Sequence, residues 1–353
     1  MKFAASALRY QGYRFALLLA ALLLVAAPGR ADTQIYTLFD FQFEDGTVMP
    51  ELRLAYDTQG TLSPSQDNAI LLLHDTLDDR HAFDPLIGPD RLFDTRQYFV
   101  ITIDAIGGGE STSPADGGGQ DFPRYTIRDM MAAEYALVSR GLGLTRLRAI
   151  VGRTMGAFIG LEWAVQHPDM PRNLVLLGPS PRSDANFQMI IDLMISDIAL
   201  DSDWNGGRYE RNPVEGLRHA GMAYYPWSVT ASYLDRMPAT RIAHESEAAA
   251  KRFAAWDANS LVLRYAACRS YDIGRPFDGD VEAALSRVTL PVLLLPAAGD
   301  RLINSSGGRW LRAALPRPTY AEIPGDLGHR ALTAAPSSPQ GDFIDRAIRS
   351  LLK

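Results

Sequence analysis

Alternating apolar and polar positions over Ile35 to Phe43 and over Glu51 to Asp57, joined by the turn Glu44-Asp45-Gly46, predict two half-buried strands. Four unbroken apolar runs follow, Ala69–Leu73, Tyr98–Ile103, Leu147–Val151 and Asn173–Leu177, each ended by a polar or glycine-rich loop. Helical patterns separate them, most clearly over Thr126 to Leu142 and Ala157 to His167. Strands that are apolar on both faces and alternate with helices predict a mostly parallel, doubly wound α/β sheet. Such sheets carry their sites at the carboxyl ends of the strands. From about residue 183 to 286 helical patterns and aromatic turns continue, but no convincing strand run appears. Leu290–Leu295 and Thr319–Ile323 then restore the strand signal, and Phe343 to Leu352 predicts a closing amphipathic helix. The expected organisation is a core over 32–182 and 287–353, with a helical cap inserted over 183–286.

The amino terminus stands outside that pattern. Lys2, Arg9 and Arg14 precede a run of 13 apolar residues, Phe15 to Ala27, and Gly29-Arg30-Ala31 places small residues where a signal peptidase reads them. Thirteen residues are too few for a comfortable membrane span. The expectation is a signal peptide over 1–31, cleavage after Ala31, and a periplasmic or secreted protein with no membrane anchor. Removing that segment leaves 31 basic against 41 acidic residues, a net charge of −10. So acidic a chain argues against a nucleic-acid partner. The one cysteine, Cys268, allows no intramolecular disulfide, and its apolar neighbours predict a buried structural thiol. The histidines are scattered without ligand spacing, so no metal is expected. Gly117-Gly118-Gly119 lacks the Lys-Ser/Thr pair of a phosphate cradle, and no cofactor is expected.

The candidate chemistry lies in Gly152-Arg153-Thr154-Met155-Gly156, between an apolar run and a helical stretch. Strand, glycine turn and helix are the layout of the nucleophile elbow of α/β-hydrolases, G-x-S-x-G, with threonine in place of serine. Acyl transfer needs a nucleophile, a base and an acid that holds the base, in this fold in the order nucleophile, acid, histidine. Thr154, Asp300 and His329 satisfy that order, each just past a strand. The oxyanion donors expected are the backbone N–H of Met155 and, from the loop His74-Asp75-Thr76-Leu77-Asp78, that of Thr76. His74 reads as a residue that packs and orders this loop.

The chain resembles the homoserine O-acetyltransferase family, and especially its exported relatives. Phe122-Pro123-Arg124-Tyr125-Thr126-Ile127-Arg128-Asp129-Met130 is similar to that family's F-P-x-x-T-I-R-D-M, and Leu161-Glu162-Trp163-Ala164 to its A-L-E-W-A. Asp203 to Tyr209 resembles D-P-x-W-x-G-G-x-Y, and Trp256 to Ser260 resembles F-D-x-N-S-Y. The resemblance implies acyl transfer through an acyl-enzyme, with Thr154, Asp300 and His329 on the triad. It also implies a homodimer through cap helices, for which Met189 to Met194 offers an apolar stretch that could equally line the pocket. Two features depart from the family. Thr154 replaces the elbow serine, and Asp75 and Asp78 replace small residues of the oxyanion loop. A β-branched residue at positive φ is strained, and carboxylates turned inward oppose an oxyanion, though Asp75 can equally face solvent. Arg269 and Asp272 read as members of a solvated salt bridge.

Three functions fit these residues. The first is an exported hydrolase or acyltransferase acting on a small-molecule acyl substrate. The second is a pseudoenzyme that binds a small ligand or a protein partner through its cap. The third is a cytosolic homoserine acetyltransferase whose start is misread, which the export signal opposes. The first is preferred, because a well-spaced Asp300 and His329 serve no chemical purpose in an abandoned site.

Overall fold

The computed structural model describes residues 33–353, so the expected signal peptide lies outside the described residues. The two alternating stretches form the antiparallel pair β1 (Gln34–Gln42) and β2 (Val48–Gln59). The apolar runs form β3 (Ala69–Leu73), β4 (Phe99–Ile103), β5 (Ala149–Arg153), β6 (Leu174–Leu177), β7 (Val292–Leu295) and the short β8 (Pro318–Tyr320). One sheet of eight strands holds them in the order β1-β2-β4-β3-β5-β6-β7-β8. β2 is antiparallel to β4, and every pair from β4 to β8 is parallel. This is the mostly parallel, doubly wound sheet that the pattern predicted.

Continuous apolar runs are needed because the central strands are covered on both sides. Successive side chains point to opposite faces, so Leu71, Ile150 and Leu176 enter one core while Ile70, Leu72, Val151 and Val175 enter the other. Helices α1 (Ile127–Ala136) and α2 (Met155–Gln166) pack on the first face. Helix α10 (Pro339–Leu352) lays Ile344, Ile348 and Leu352 on the second.

Local chemistry sets the ends of these helices. Thr126 caps α1 by accepting from the N–H of Asp129, whose carboxylate accepts the N–H of Thr126 at 2.8 Å. The helix stops at Ala136, short of the predicted Leu142, because the chain widens into a π turn over Leu137–Gly141, closed by Leu142 N–H to the Leu137 carbonyl at 2.9 Å. Strand β8 ends at Tyr320 instead of Ile323, but Ile323 keeps an isolated bridge to Ala297. That bridge ties together the two loops that carry Asp300 and His329.

Between β6 and β7 the described chain forms six α-helices and no strand: α3 (Ala185–Ala199), α4 (Val214–Tyr224), α5 (Ala231–Arg236), α6 (Ala239–Ala254), α7 (Ala258–Arg269) and α8 (Val281–Leu285). Helix α9 (Ser305–Ala314) follows β7. In the stretch Met189 to Met194, Ile190, Ile191 and Met194 turn into the core, whereas Met189 and Leu193 are exposed. No helix among the described residues is long and apolar enough to cross a membrane.

Candidate active site

β5 turns into α2 through Thr154, whose φ of 50° and ψ of −105° belong to neither a strand nor a helix. A β-branched residue held there carries roughly 1–3 kcal/mol of backbone strain. Packing on both sides imposes it. A Cβ on Gly152 would sit 2.0 Å from the carbonyl oxygen of Gly156, and one on Gly156 would sit 2.1 Å from that of Leu73. Only glycine fits at either place. The Thr154 N–H donates to the Leu177 carbonyl at 2.9 Å, which pins the elbow to β6.

The three residues expected to form a triad meet at hydrogen-bond distance. Thr154 Oγ1 lies 3.1 Å from His329 Nε2, and His329 Nδ1 lies 2.8 Å from Asp300 Oδ2. The other Asp300 oxygen accepts the N–H groups of Leu302 and Ile303, each at 2.9 Å, so the carboxylate cannot turn. With Nδ1–H held by Asp300, Nε2 presents its lone pair to the Thr154 hydroxyl. Burial works against an imidazolium here, but the charge and hydrogen bond of Asp300, with a further contribution from Asp75, raise the His329 pKa above its ordinary value.

The two expected oxyanion donors differ. Met155 is the first residue of α2, a position whose N–H has no intrahelical acceptor. The Thr76 N–H instead donates to Oδ1 of Asp75 at 2.5 Å. The second donor is therefore occupied by its neighbour's carboxylate. Asp75 faces inward, 6% exposed, and not toward solvent. Asp78 pairs with Arg252 of α6. Burial and the Asp75 charge push the Asp78 carboxyl above the usual range, against the pull of Arg252 and Arg153. His74 orders the loop as expected of a packing residue: Nε2 accepts the Ala105 N–H at 3.1 Å, and Nδ1–H donates to the Asp75 carbonyl at 2.7 Å.

Several participants carry no signal in the sequence. Arg264 of α7 is fully buried over Trp256 and donates to the carbonyls of Thr76 at 3.0 Å, Asp78 at 3.1 Å and Ala105 at 3.1 Å. It clamps the loop that holds Asp75 and Thr76, yet a lone arginine in a helix reads as solvated. Arg153, the second residue of the elbow, is buried over the Phe83 ring, with no ion pair within 4 Å among the described residues. Burial lowers its pKa, while Asp78 and Asp75 favour its charge. Glu245 of α6 accepts from Tyr225, Tyr233, Arg241 and Arg330; burial opposes its charge, but these donors bring its pKa down to about 2. Through Arg330 it ties α6 to the turn that carries His329.

A cavity of about 330 Å³ opens beside His329 and Asp75, with Tyr224, Glu245, Arg252, Phe253 and Arg330 on its wall. Met189 and Leu193 are not among its lining residues, and neither are Arg269 and Asp272. Arg269 pairs with Asp192 at the surface at 2.6 Å, and Asp272 instead accepts the Gly274 N–H at 2.8 Å. Cys268 is buried, and burial pushes its thiol up to about 12.

A sheet of this order with a strained elbow after its fifth strand is that of an α/β-hydrolase. The family model of the alpha/beta hydrolase fold matches residues 68–332, and the chain belongs to that family. Within it the chain is homoserine O-acetyltransferase-like. It is 32% identical to the homoserine O-acetyltransferase of Leifsonia xyli subsp. xyli, over 80% of each chain. It is also 32% identical to that of Thermobifida fusca, over 73% of this chain and 78% of the relative. Among solved structures, an acetylester hydrolase from Corynebacterium glutamicum superposes with a TM-score of 0.85 at 25% identity, over 91% of this chain and 95% of the other. The fold is shared as well with homoserine O-acetyltransferase from Bacillus anthracis, with a TM-score of 0.82 at 24% identity over 91% and 97% of the two chains.

Proposed function

We propose that this is an exported enzyme that transfers the acyl group of a small ester, normally to water, through an acyl-Thr154 intermediate. The observation that carries the reading is the hydrogen-bonded line from Thr154 Oγ1 through His329 to Asp300, with contacts of 3.1 Å and 2.8 Å. His329 Nε2 takes the hydroxyl proton as Oγ1 bonds to the ester carbonyl carbon. The bond to the leaving alcohol breaks as that alcohol takes the proton from His329. Water then attacks the acyl-threonine with the same base, releasing the acid and restoring Thr154. Asp300 holds the tautomer and stabilises the imidazolium. Met155 N–H, and Thr76 N–H once released from Asp75, receive the oxyanion.

The helices over 183–286 act as a cap that closes the substrate cavity against the core residues 32–182 and 287–353. A dimer would use the exposed Met189 and Leu193 of α3. The basic and apolar segment before Ala31 supports export to the periplasm or medium, where acetyl-CoA is not expected. That favours water over homoserine as the acceptor, in keeping with the acetylester hydrolase among its structural relatives. One observation favours the second reading, a ligand-binding pseudoenzyme: Asp75 fills the position of an oxyanion donor's acceptor.

Incubation with p-nitrophenyl acetate and a fluorophosphonate separates the two readings. The wild type should label and turn over, Thr154→Ala should do neither, and Thr154→Ser should gain about tenfold or more by relieving strain and crowding. Absence of labelling, with turnover no higher than that of the Ala variant, would rule out the catalytic reading. The pH profile gives a second check. The base must be neutral, and its pKa is raised above the ordinary 6.5, so the acid limb of kcat/KM should fall above pH 6.5. A midpoint below that value would contradict the Asp300–His329 coupling.

A further inference from the structure

Asp75 is the one carboxylate on the cavity wall with bonding capacity left. It is 6% exposed, no cation lies within 4 Å of it among the described residues, and only Oδ1 accepts a hydrogen bond, from its neighbour's N–H. Arg252 and Arg153 act on its charge only at longer range, so the buried carboxylate keeps an oxygen open to a further donor. The other charges on the wall are committed. Arg252 pairs with Asp78, and Arg330 pairs with Glu245, which already accepts from three further side chains. Tyr224 and Phe253, with ring centroids 5.3 Å apart, stand on the same wall, and aromatic faces attract cations. About 330 Å³ suits a small ester.

We propose that Asp75 is a specificity-determining residue that admits acyl substrates carrying an ammonium group next to the ester. The cation draws the Asp75 carboxylate toward itself and away from the Thr76 N–H, which is thereby released to the oxyanion. Recognition and activation are thereby one event. A neutral ester leaves Asp75 where it is and meets only the Met155 N–H, and one missing oxyanion donor costs about 10²–10³ in rate. The rate part of this inference rests on the acyl-Thr154 reading; the binding part does not.

The experiment uses acetylcholine and its uncharged carbon isostere, 3,3-dimethylbutyl acetate. Calorimetry on the full chain carrying Thr154→Ala reads binding without turnover. Acetylcholine should bind at least tenfold more tightly than the isostere, and adding Asp75→Asn, of the same shape without the charge, should remove that preference. Equal affinities, or a preference that survives Asp75→Asn, would overturn the proposal. With Thr154 intact, Asp75→Ala should raise hydrolysis of the neutral ester at least tenfold and lower that of acetylcholine. A fall with both esters would overturn the gating role. If Thr154 is no nucleophile, every ester is inert in every variant while the binding preference is still read, so the two failures are distinguishable.

Discussion

Asp300→Asn should lower ester turnover by about 10⁴-fold while leaving the protein folded. One carboxylate oxygen of Asp300 accepts the N–H groups of Leu302 and Ile303, each at 2.9 Å, and the other accepts from His329 Nδ1 at 2.8 Å. An asparagine must keep its carbonyl oxygen on the two backbone donors, since the alternative sets its NH2 against both of them. The NH2 then faces His329 and takes a lone pair from Nδ1, which moves the imidazole proton to Nε2. A protonated Nε2 cannot accept the Thr154 proton. The change is therefore a tautomer error, visible as a fall in kcat with little change in KM or in unfolding midpoint. A loss of less than tenfold would show that Asp300 does not orient the base.

Gly156→Ala should destabilise the fold by more than about 4 kcal/mol, in the range reserved for severe steric conflict. The added Cβ would lie 2.1 Å from the Leu73 carbonyl oxygen, 2.5 Å from its carbon and 2.8 Å from the His74 carbonyl oxygen. All three are backbone atoms at the end of β3, so no side chain can give way. Relief requires separating the elbow from the oxyanion loop, which breaks both the core and the site. Gly160→Ala in the same helix is the control. Its Cβ would meet only side-chain tips, the nearest 3.3 Å away on Leu174, and alanine gains up to about 1 kcal/mol in helix propensity. Urea unfolding should place Gly160→Ala within about 1 kcal/mol of wild type, and a comparable midpoint for Gly156→Ala would refute the packing account.

Much of the frame was legible because it rests on periodicity and on local backbone demands. Ala69–Leu73 reads as a strand apolar on both faces and is one, with Leu71 and Leu72 in opposite cores. The capping pair Thr126 and Asp129 sits where a helix start is expected. Boundaries slipped where a local device interrupts the period, as at the π turn over Leu137–Gly141. The order Thr154, Asp300, His329 was legible too, since each follows a strand and the sheet order brings those strand ends together.

The fold class, the insertion point of the helices between β6 and β7, and the three residues that converge after strand ends could be read from the order of residues alone. The reason is that strand burial, helix amphipathicity and glycine turns are written into neighbouring residues. The direction of Asp75, its hold on the Thr76 N–H, and the clamp that buried Arg264 puts on the loop emerge only once the chain is packed. Those contacts join residues far apart in the chain, as Arg264 and Thr76 are, or depend on one side-chain rotation, as at Asp75. Neither leaves a periodic trace. What a carboxylate does in that loop depends on the charges near it, and those that act on Asp75 come from Arg252 of α6 and Arg153 of the elbow, distant in sequence.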